Sequence, residues 1–380
     1  MSKLLYSLPP LSPDYSGVAS VFHDIEALTI IHDASGCTGT YTGYDEPRWF
    51  GSQSPVFCSG LREMDAIMGD DEKLYTKIET ALKSTHAPCV AIIGSPVPMV
   101  IGFDFAGFAS LVETRTGCSC LSFPTTGLAY YDVGQKSAYL ALAKKFLDPS
   151  KAEPLKNTVN ILGASVLDGF DEKYLNSIIA FLHKEHLNVG AVWGMRSPLT
   201  TLRTTPNAAV NWVVTAAALP LARYLYQTFG TPFVAGLPLG EHETTRILNY
   251  LKSACAGHHP PEKMQFAPPP KLESASHGKP STAKTLIIGE GLHSASLRAR
   301  LEQDNECEPV RVGSFFTEAQ SFLTEHDVMF QSEQEAYETL ADPTLEIVIG
   351  DPLFRDLIPR QSKILLIDLP HRAISGRLYM

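Results

Sequence analysis

The sequence has little positive charge. Its 31 Lys and Arg residues are outnumbered by 41 Asp and Glu, which leaves a net charge of −10. A nucleic-acid binder normally carries a basic surface, so that class is not expected. Long hydrophobic runs are also missing. No stretch approaches the ~18 apolar residues of a membrane span, and no membrane association is expected. The opening stretch MSKLLYSLPPLSPDY has one Lys, a short apolar run and early prolines, which is not the pattern of a signal peptide. A cytoplasmic location is the expectation. No Gly-x-x-x-x-Gly-Lys-Ser/Thr phosphate loop occurs, so ATP hydrolysis by this chain is not expected. There is no short-period repeat. The seven cysteines are an odd count in a large chain, and they read as reduced thiols or metal ligands rather than a disulfide set.

What is present is an α/β pattern. The chain has 380 residues, 44% of them apolar, enough to bury the cores of two or three domains. Short Val- and Ile-rich runs ending in glycine or small polar residues recur: CVAIIGS (89–95), NTVNILGAS (157–165), LNVGAVWGM (187–195), TPFVAGLPLG (231–240), KTLIIGEG (284–291), LEIVIGDP (345–352) and KILLIDLP (363–370). Each has the length of a buried strand. Helical patterns lie between many of them, including DEKYLNSIIAFLHKEH (171–186), NAAVNWVVTAAALPLARYLYQTFG (207–230) and LHSASLRARLEQD (292–304). This alternation predicts parallel α/β domains with ligands beyond the carboxyl ends of the strands. The stretch 256–284, rich in Pro, Ser, Lys and His, reads as a linker, and a softer boundary falls near 147–157. The expected units are 1–150, which carries the cysteine loops, 151–256, a linker over 257–282, and a small third unit over 283–380.

Several motifs have plain structural readings. GEGLHSAS (289–296) follows a strand and opens a helix, but Ser294 replaces the third glycine of a dinucleotide fingerprint, so a simple strand-to-helix turn is expected. The thiols of GCSC (117–120) would point to opposite faces of a strand, one of them buried. DEKLYTKIETALKS (71–84) reads as a helix with a solvated face, and Met64, Met68 and Met99 read as core. GYDEPRW (43–49) offers Asp45 and Glu46 as partners for Arg48, with Trp49 as an amphipathic wall. That is either a braced rigid loop or part of a site; its place beside a cysteine favours the site.

Cys37 and Cys58 are the strongest candidates. Cys37 is flanked by Gly36 and Gly39 in SGCTG, a loop whose backbone N–H groups are left to face an anion such as a cluster sulfide. Cys58 lies between a strand-like run and a helix, where a thiolate is favoured. On chemistry alone the two either ligate or are buried structural thiols.

The order of segments along the chain resembles the component 1 family of nitrogenases and nitrogenase-like reductases, which includes the dark-operative protochlorophyllide and chlorophyllide reductases and the nickel-sirohydrochlorin diamide reductase. IIHDASGCTGTY is similar to the family's histidine-to-cysteine loop. CSGLREMDAIMGDDEKL, IIGSPVPMVIGFDFAGFA, PTTGLAYYDVG, VNILGAS, NWVVTAAALPLARYLYQTFGTPFVAGLPLG and LPHRAISGRLY follow in the family's order, nearly the whole chain. The resemblance implies three Rossmann-like parallel-sheet domains around a central cavity. It also implies an iron–sulfur cluster on Cys37, an ATP-hydrolysing iron protein as electron donor, and a small-molecule substrate, with a tetrapyrrole as one option. Two of the family's three cysteine positions fall at Pro13 and Pro96, which cannot ligate iron, while Cys58 is extra. The implied ligand set is Cys37 and Cys58 from each of two subunits around one 4Fe–4S cluster, in a homodimer or with a sister component 1 subunit. The position of the thiolate that holds nitrogenase's large cofactor falls at Thr215, so no FeMo-type cofactor is expected. Arg196, Arg203 and Arg372 are candidates for binding substrate, and His371 and Arg196 for catalysis. The alternatives are a cofactor-assembly scaffold and a redox-silent protein that binds a small molecule or a metal.

Overall fold

The computed structural model describes residues 6–52, 54–69, 71–151, 155–258, 284–304 and 309–376. Nearly all of the expected linker, residues 259–282, lies outside them. Among the described residues the strands form three parallel sheets. The first holds β1 (Leu28–Ile31), β2 (Val56–Cys58), β3 (Val90–Ile93) and β4 (Cys120–Phe123) in the order β2-β1-β3-β4. The second holds β5 (Leu155–Leu162), β6 (Asn188–Trp193), β7 (Ala208–Val213) and β8 (Phe233–Ala235) in the order β6-β5-β7-β8. The third holds β9 (Thr285–Ile288), β10 (Val310–Ser314), β11 (Val328–Met329), β12 (Ile347–Gly350) and β13 (Leu365–Asp368) in the order β11-β10-β9-β12-β13. All seven Val- and Ile-rich runs contribute strands. The α/β class and the parallel sheets are as the sequence predicts.

The helices follow from amphipathic spacing and caps. Around the first sheet run α1 (Asp14–Phe22), α2 (Gly36–Thr40), α3 (Glu63–Met68), α4 (Asp71–Thr85), α5 (Pro96–Val100), α6 (Phe105–Thr116) and α7 (Tyr131–Phe146). Around the second run α8 (Glu172–Lys184), α9 (Leu199–Leu202), α10 (Leu219–Phe229) and α11 (Gly240–Cys255), and around the third α12 (Gly291–Asp304) and α13 (Glu333–Leu340). In α8 the carboxylate of Asp171 caps the Tyr174 N–H at 2.7 Å, and Leu175, Ile178 and Leu182 form the buried stripe. In α4 only Leu74 and Ile78 are buried, so its other face is solvated as expected.

Two expectations fail. The stretch 207–230 is not one helix: residues 208–213 form β7 and the helix begins at Leu219. A strand buried on both faces reads as a continuous apolar run, and hydrophobic period cannot separate it from a buried helix; the β-branched Val210 and Val213 were the available signal. Met64 and Met68 are not core either, being 63% and 71% exposed. Helix α3 has no buried residue, and among the described residues nothing covers its outer face. Met99 is partly buried, as expected.

Helix α1 is buried along its whole length and crosses α7 at two glycines. A Cβ on Gly17 would run into the Tyr131 carbonyl, and one on Gly134 into the Asp14 carbonyl. Backbone cannot rotate away as a side chain can. Gly134→Ala is therefore expected to destabilise the protein by about 1–3 kcal/mol, the usual range for overpacking. An unchanged denaturation midpoint would show that the two helices separate freely.

Candidate functional site

Parallel strands place their loops at one end, and in the first sheet this end gathers both candidate thiols. Cys58 is the last residue of β2, and Cys37 lies in α2 beyond β1. Between them is Asp33, 3% exposed. Its carboxylate accepts from the Thr38 N–H at 3.2 Å and meets the Cys37 thiol. Its main-chain carbonyl accepts from the Cys58 thiol at 3.4 Å, and the Gly60 N–H donates to Cys58 Sγ at 3.3 Å. The hydroxyls of Tyr15 and Ser95 also bond to Cys37. Burial, and then the Asp33 carboxylate, push the Cys37 thiol above its ordinary pKa. Without a metal that thiol stays protonated, and a bound metal must displace the proton. Asp33 was not singled out from the sequence; a lone carboxylate four residues before a cysteine carries no distinctive pattern.

The expected loop around Cys37 is instead helical: α2 continues into a π-helical turn over Tyr41–Asp45. Gly36 and Gly39 are exposed, and a Cβ on either would meet nothing among the described residues. Packing within the chain therefore does not explain them. The Gly39 N–H is bonded to the Ser35 carbonyl at 2.9 Å, so it is not left to face an anion. Pro13 caps α1, and Pro96 begins α5 beside Tyr15, both at this same end of the sheet. Large apolar side chains are exposed here. Val100 and Leu128 are 85% and 84% exposed, and Met64, Ile67, Met68 and Val97 add to them. Large exposed apolar side chains in the segments that follow both thiols are what a contact surface offers.

The two halfway-buried thiols suit the soft-ligand chemistry of an iron–sulfur cluster. Among the described residues no group of three His, Cys, Asp or Glu side chains could hold a metal ion, so one chain gives an incomplete ligand set. Cys118 is partly buried in the core beneath β4 and Cys120 is buried in it, so both are packing residues.

GYDEPRW is a brace. Arg48 forks onto Glu46, with Nε to Oε1 at 2.7 Å and Nη2 to Oε2 at 2.8 Å, and Nη1 reaches Asp24 at 3.0 Å. Nη2 also donates to the Ser20 carbonyl of α1 at 2.9 Å. Asp45 does not pair with Arg48, because the π-helical turn aims it at the start of α1, where Ser12 just before the helix and Ser16 within it donate to it at 3.2 and 2.6 Å. Trp49 packs edge-on to Tyr41 with ring centres 6.4 Å apart.

A second polar cluster lies where the three sheets meet. Tyr131 of α7 donates to Asp168 Oδ1 at 2.5 Å, and His371 Nε2 stands 3.2 Å from the same hydroxyl. Glu290, from the turn before α12, accepts from the Ala216 and His293 N–H groups at 2.6 and 2.7 Å. Asp132 accepts from the Glu318 N–H at 2.8 Å. Burial, and then the neighbouring carboxylate, raise Asp168 far above the usual carboxyl range; Glu290 is raised by burial, and Asp132 is pushed up to about 6 by burial. GEGLHSAS is the expected plain turn, with Gly291 kept small by Ala319. Thr215 donates its hydroxyl to the Gly163 carbonyl at 3.0 Å beside this cluster.

These shifts set the pH dependence of stability. A carboxyl whose pKa is raised on folding binds more protons in the folded than in the unfolded state, so its stabilising effect is complete below about pH 4 and is lost as pH rises through the folded value. Stability is expected to fall from about pH 4 towards neutrality for this reason. Asp168→Asn, which mimics the protonated acid, is expected to flatten the fall. Denaturation midpoints across that range test it, and an equally steep fall in the variant would exclude Asp168 as a source.

The remaining candidates are dispersed. Arg196, at φ 66°, gives its N–H to Asp24 and its side chain to Glu172 and Asn176 on the surface. Arg203 is exposed, over the Phe146 ring at 5.3 Å. Arg372 lines an open cleft of about 360 Å³ with Arg48, Phe170 and Met195. Of the four, only His371 joins the junction.

Three parallel sheets with a thiol site at the end of the first and a polar junction between them define the class. The chain belongs to the nitrogenase component 1 type oxidoreductase family, whose model matches residues 13–356. Members of this family bind iron–sulfur clusters, form oligomers and generally work with an iron-protein partner. The nitrogenase iron-molybdenum cofactor biosynthesis protein NifE of Clostridium pasteurianum is 26% identical over 241 residues, 62% of this chain and 51% of that protein. NifE of Klebsiella pneumoniae is 22% identical over 242 residues, 58% of this chain and 51% of that protein. The chain thus spans about half the length of the curated relatives it matches. The solved structure of nitrogenase Cp1 at pH 6.5 matches in fold, with a TM-score of 0.71 at 13% identity, over 99% of this chain and 89% of that one.

Proposed function

We propose that this chain is one subunit of a component 1-type reductase whose interface cluster is held by Cys37 and Cys58 together with thiolates from a second component 1-type subunit. The observation that carries this reading is the convergence of both thiols on Asp33 within an exposed apolar face. A cluster there would relay single electrons. An ATP-hydrolysing iron protein would supply them, and a small molecule near the three-sheet junction would receive them. The Thr215 hydroxyl, committed to a backbone carbonyl, is a poor ligand for a large soft-metal cofactor and supports a different acceptor.

The second reading is a scaffold for cofactor assembly. It is favoured by the names of the curated relatives. Iron and acid-labile sulfide per chain, on protein purified without oxygen, form the first test. About two irons per chain support one cubane shared across a two-fold axis. No iron, even after reconstitution, would overturn the cluster and leave a redox-silent binding protein. Reduction of a substrate by reduced iron protein and ATP separates the reductase from the scaffold.

A further inference from the structure

We propose that Asp168, Tyr131 and His371 form a proton relay joining a buried carboxyl store to the open edge of the three-sheet junction. The three residues come from separate parts of the chain. Asp168 lies in the turn after β5, Tyr131 opens α7, and His371 follows β13. They make a continuous line, from Asp168 Oδ1 through the Tyr131 hydroxyl at 2.5 Å to His371 Nε2 at 3.2 Å. Tyr131 is fully buried. The inner end shows where a proton would reside. Asp168 Oδ2 is buried with no hydrogen-bond partner, and so are Gln135 Oε1 and the Tyr139 hydroxyl on the same helix as Tyr131. A carboxylate oxygen buried without a donor is costly when charged, and a proton on Asp168 removes that charge.

The groups facing Asp168 are Tyr131, Asp132 and Tyr139 from α7, and Glu290 and His293 from the start of α12. Glu318 faces Asp132. Carboxyls buried together in this way do not all ionise, so the cluster retains protons. The outer end is held in place: the His371 N–H donates to Asp351 at 2.8 Å, and its ring lies against Phe316 with centres 4.9 Å apart. The next residue, Arg372, lines the open cleft together with Val166 and Phe170, which flank the turn that carries Asp168.

The transfer balances. With the carboxyl proton on Oδ1 and the Tyr131 hydroxyl turned from Asp168 to His371, the carboxyl proton moves to the Tyr131 oxygen while the tyrosine proton moves to His371 Nε2. Asp168 becomes a carboxylate, Tyr131 stays neutral and His371 becomes an imidazolium. A reduction at the junction consumes a proton for many of its electrons, and this line would deliver them. Only that use rests on the reductase reading; the relay itself needs no cluster.

The test follows the infrared C=O stretch of the protonated carboxyl in the full-length protein near pH 6 after transfer to D₂O. The Asp168 band is assigned by its loss in Asp168→Asn. Tyr131→Phe and His371→Gln are expected to slow its exchange by roughly tenfold or more, and Tyr130→Phe to leave it unchanged. Unchanged exchange in folded Tyr131→Phe, or no band lost in Asp168→Asn, would overturn the relay. Should Tyr131→Phe not fold, His371→Gln decides alone. Cys37→Ala should leave the exchange untouched, so failure of the cluster reading and failure of the relay show up separately.

Discussion

Cys37→Ala protein, purified without oxygen, is expected to carry no iron, and Cys58→Ala is expected to carry less iron or to show an altered paramagnetic spectrum. The asymmetry follows from the surroundings. Cys37 lies between the Asp33 carboxylate and the Tyr15 and Ser95 hydroxyls, so its sulfur is held in one place. Among the described residues Cys58 is held by backbone, through the Asp33 carbonyl and the Gly60 N–H at 3.4 and 3.3 Å. A shared cluster losing one thiolate per chain loses half of a four-thiolate set. The fold should survive both changes, because neither side chain fills a closed core. Circular dichroism and subunit mass should match the wild type. Full iron and an unaltered spectrum in Cys58→Ala would mean that the second ligand lies elsewhere.

Arg48→Met is expected to cost about 3–5 kcal/mol of stability, the range for breaking a buried ion pair from one side. Glu46 has no exposed side-chain surface and Arg48 has 17%. Removing the guanidinium leaves the Glu46 carboxylate in the interior without its partner, and takes one bond each from Asp24 and the Ser20 carbonyl. The double variant Arg48→Met with Glu46→Gln should recover part of the loss, since the stranded charge is then gone. Denaturant midpoints for the wild type, both single variants and the double variant measure this coupling. An Arg48→Met midpoint close to wild type would show that the brace is not needed to hold the residues beyond Cys37.

The sequence by itself determined the strands that are buried on both faces and bounded by glycine, and hence the parallel α/β class. These runs depend on local composition and length, which a linear reading can see. It also pointed to Cys37 and Cys58, because a cysteine among glycines and one at a strand end are local patterns. The stretch 207–230 shows the limit: β7 is as apolar as a buried helix, and only its neighbours β5 and β8 decide that it is a strand. Helix α3 shows another, since Met64 and Met68 fit a core by chemistry and lie exposed because no element among the described residues covers them. Apart from His371, a candidate from the family resemblance, the junction is a product of tertiary structure. Tyr131, Asp168 and Glu290 are ordinary residues scattered over all three sheets' connections. Their shifted protonation comes from mutual burial, which is a property of distance in the folded chain and not of spacing along it.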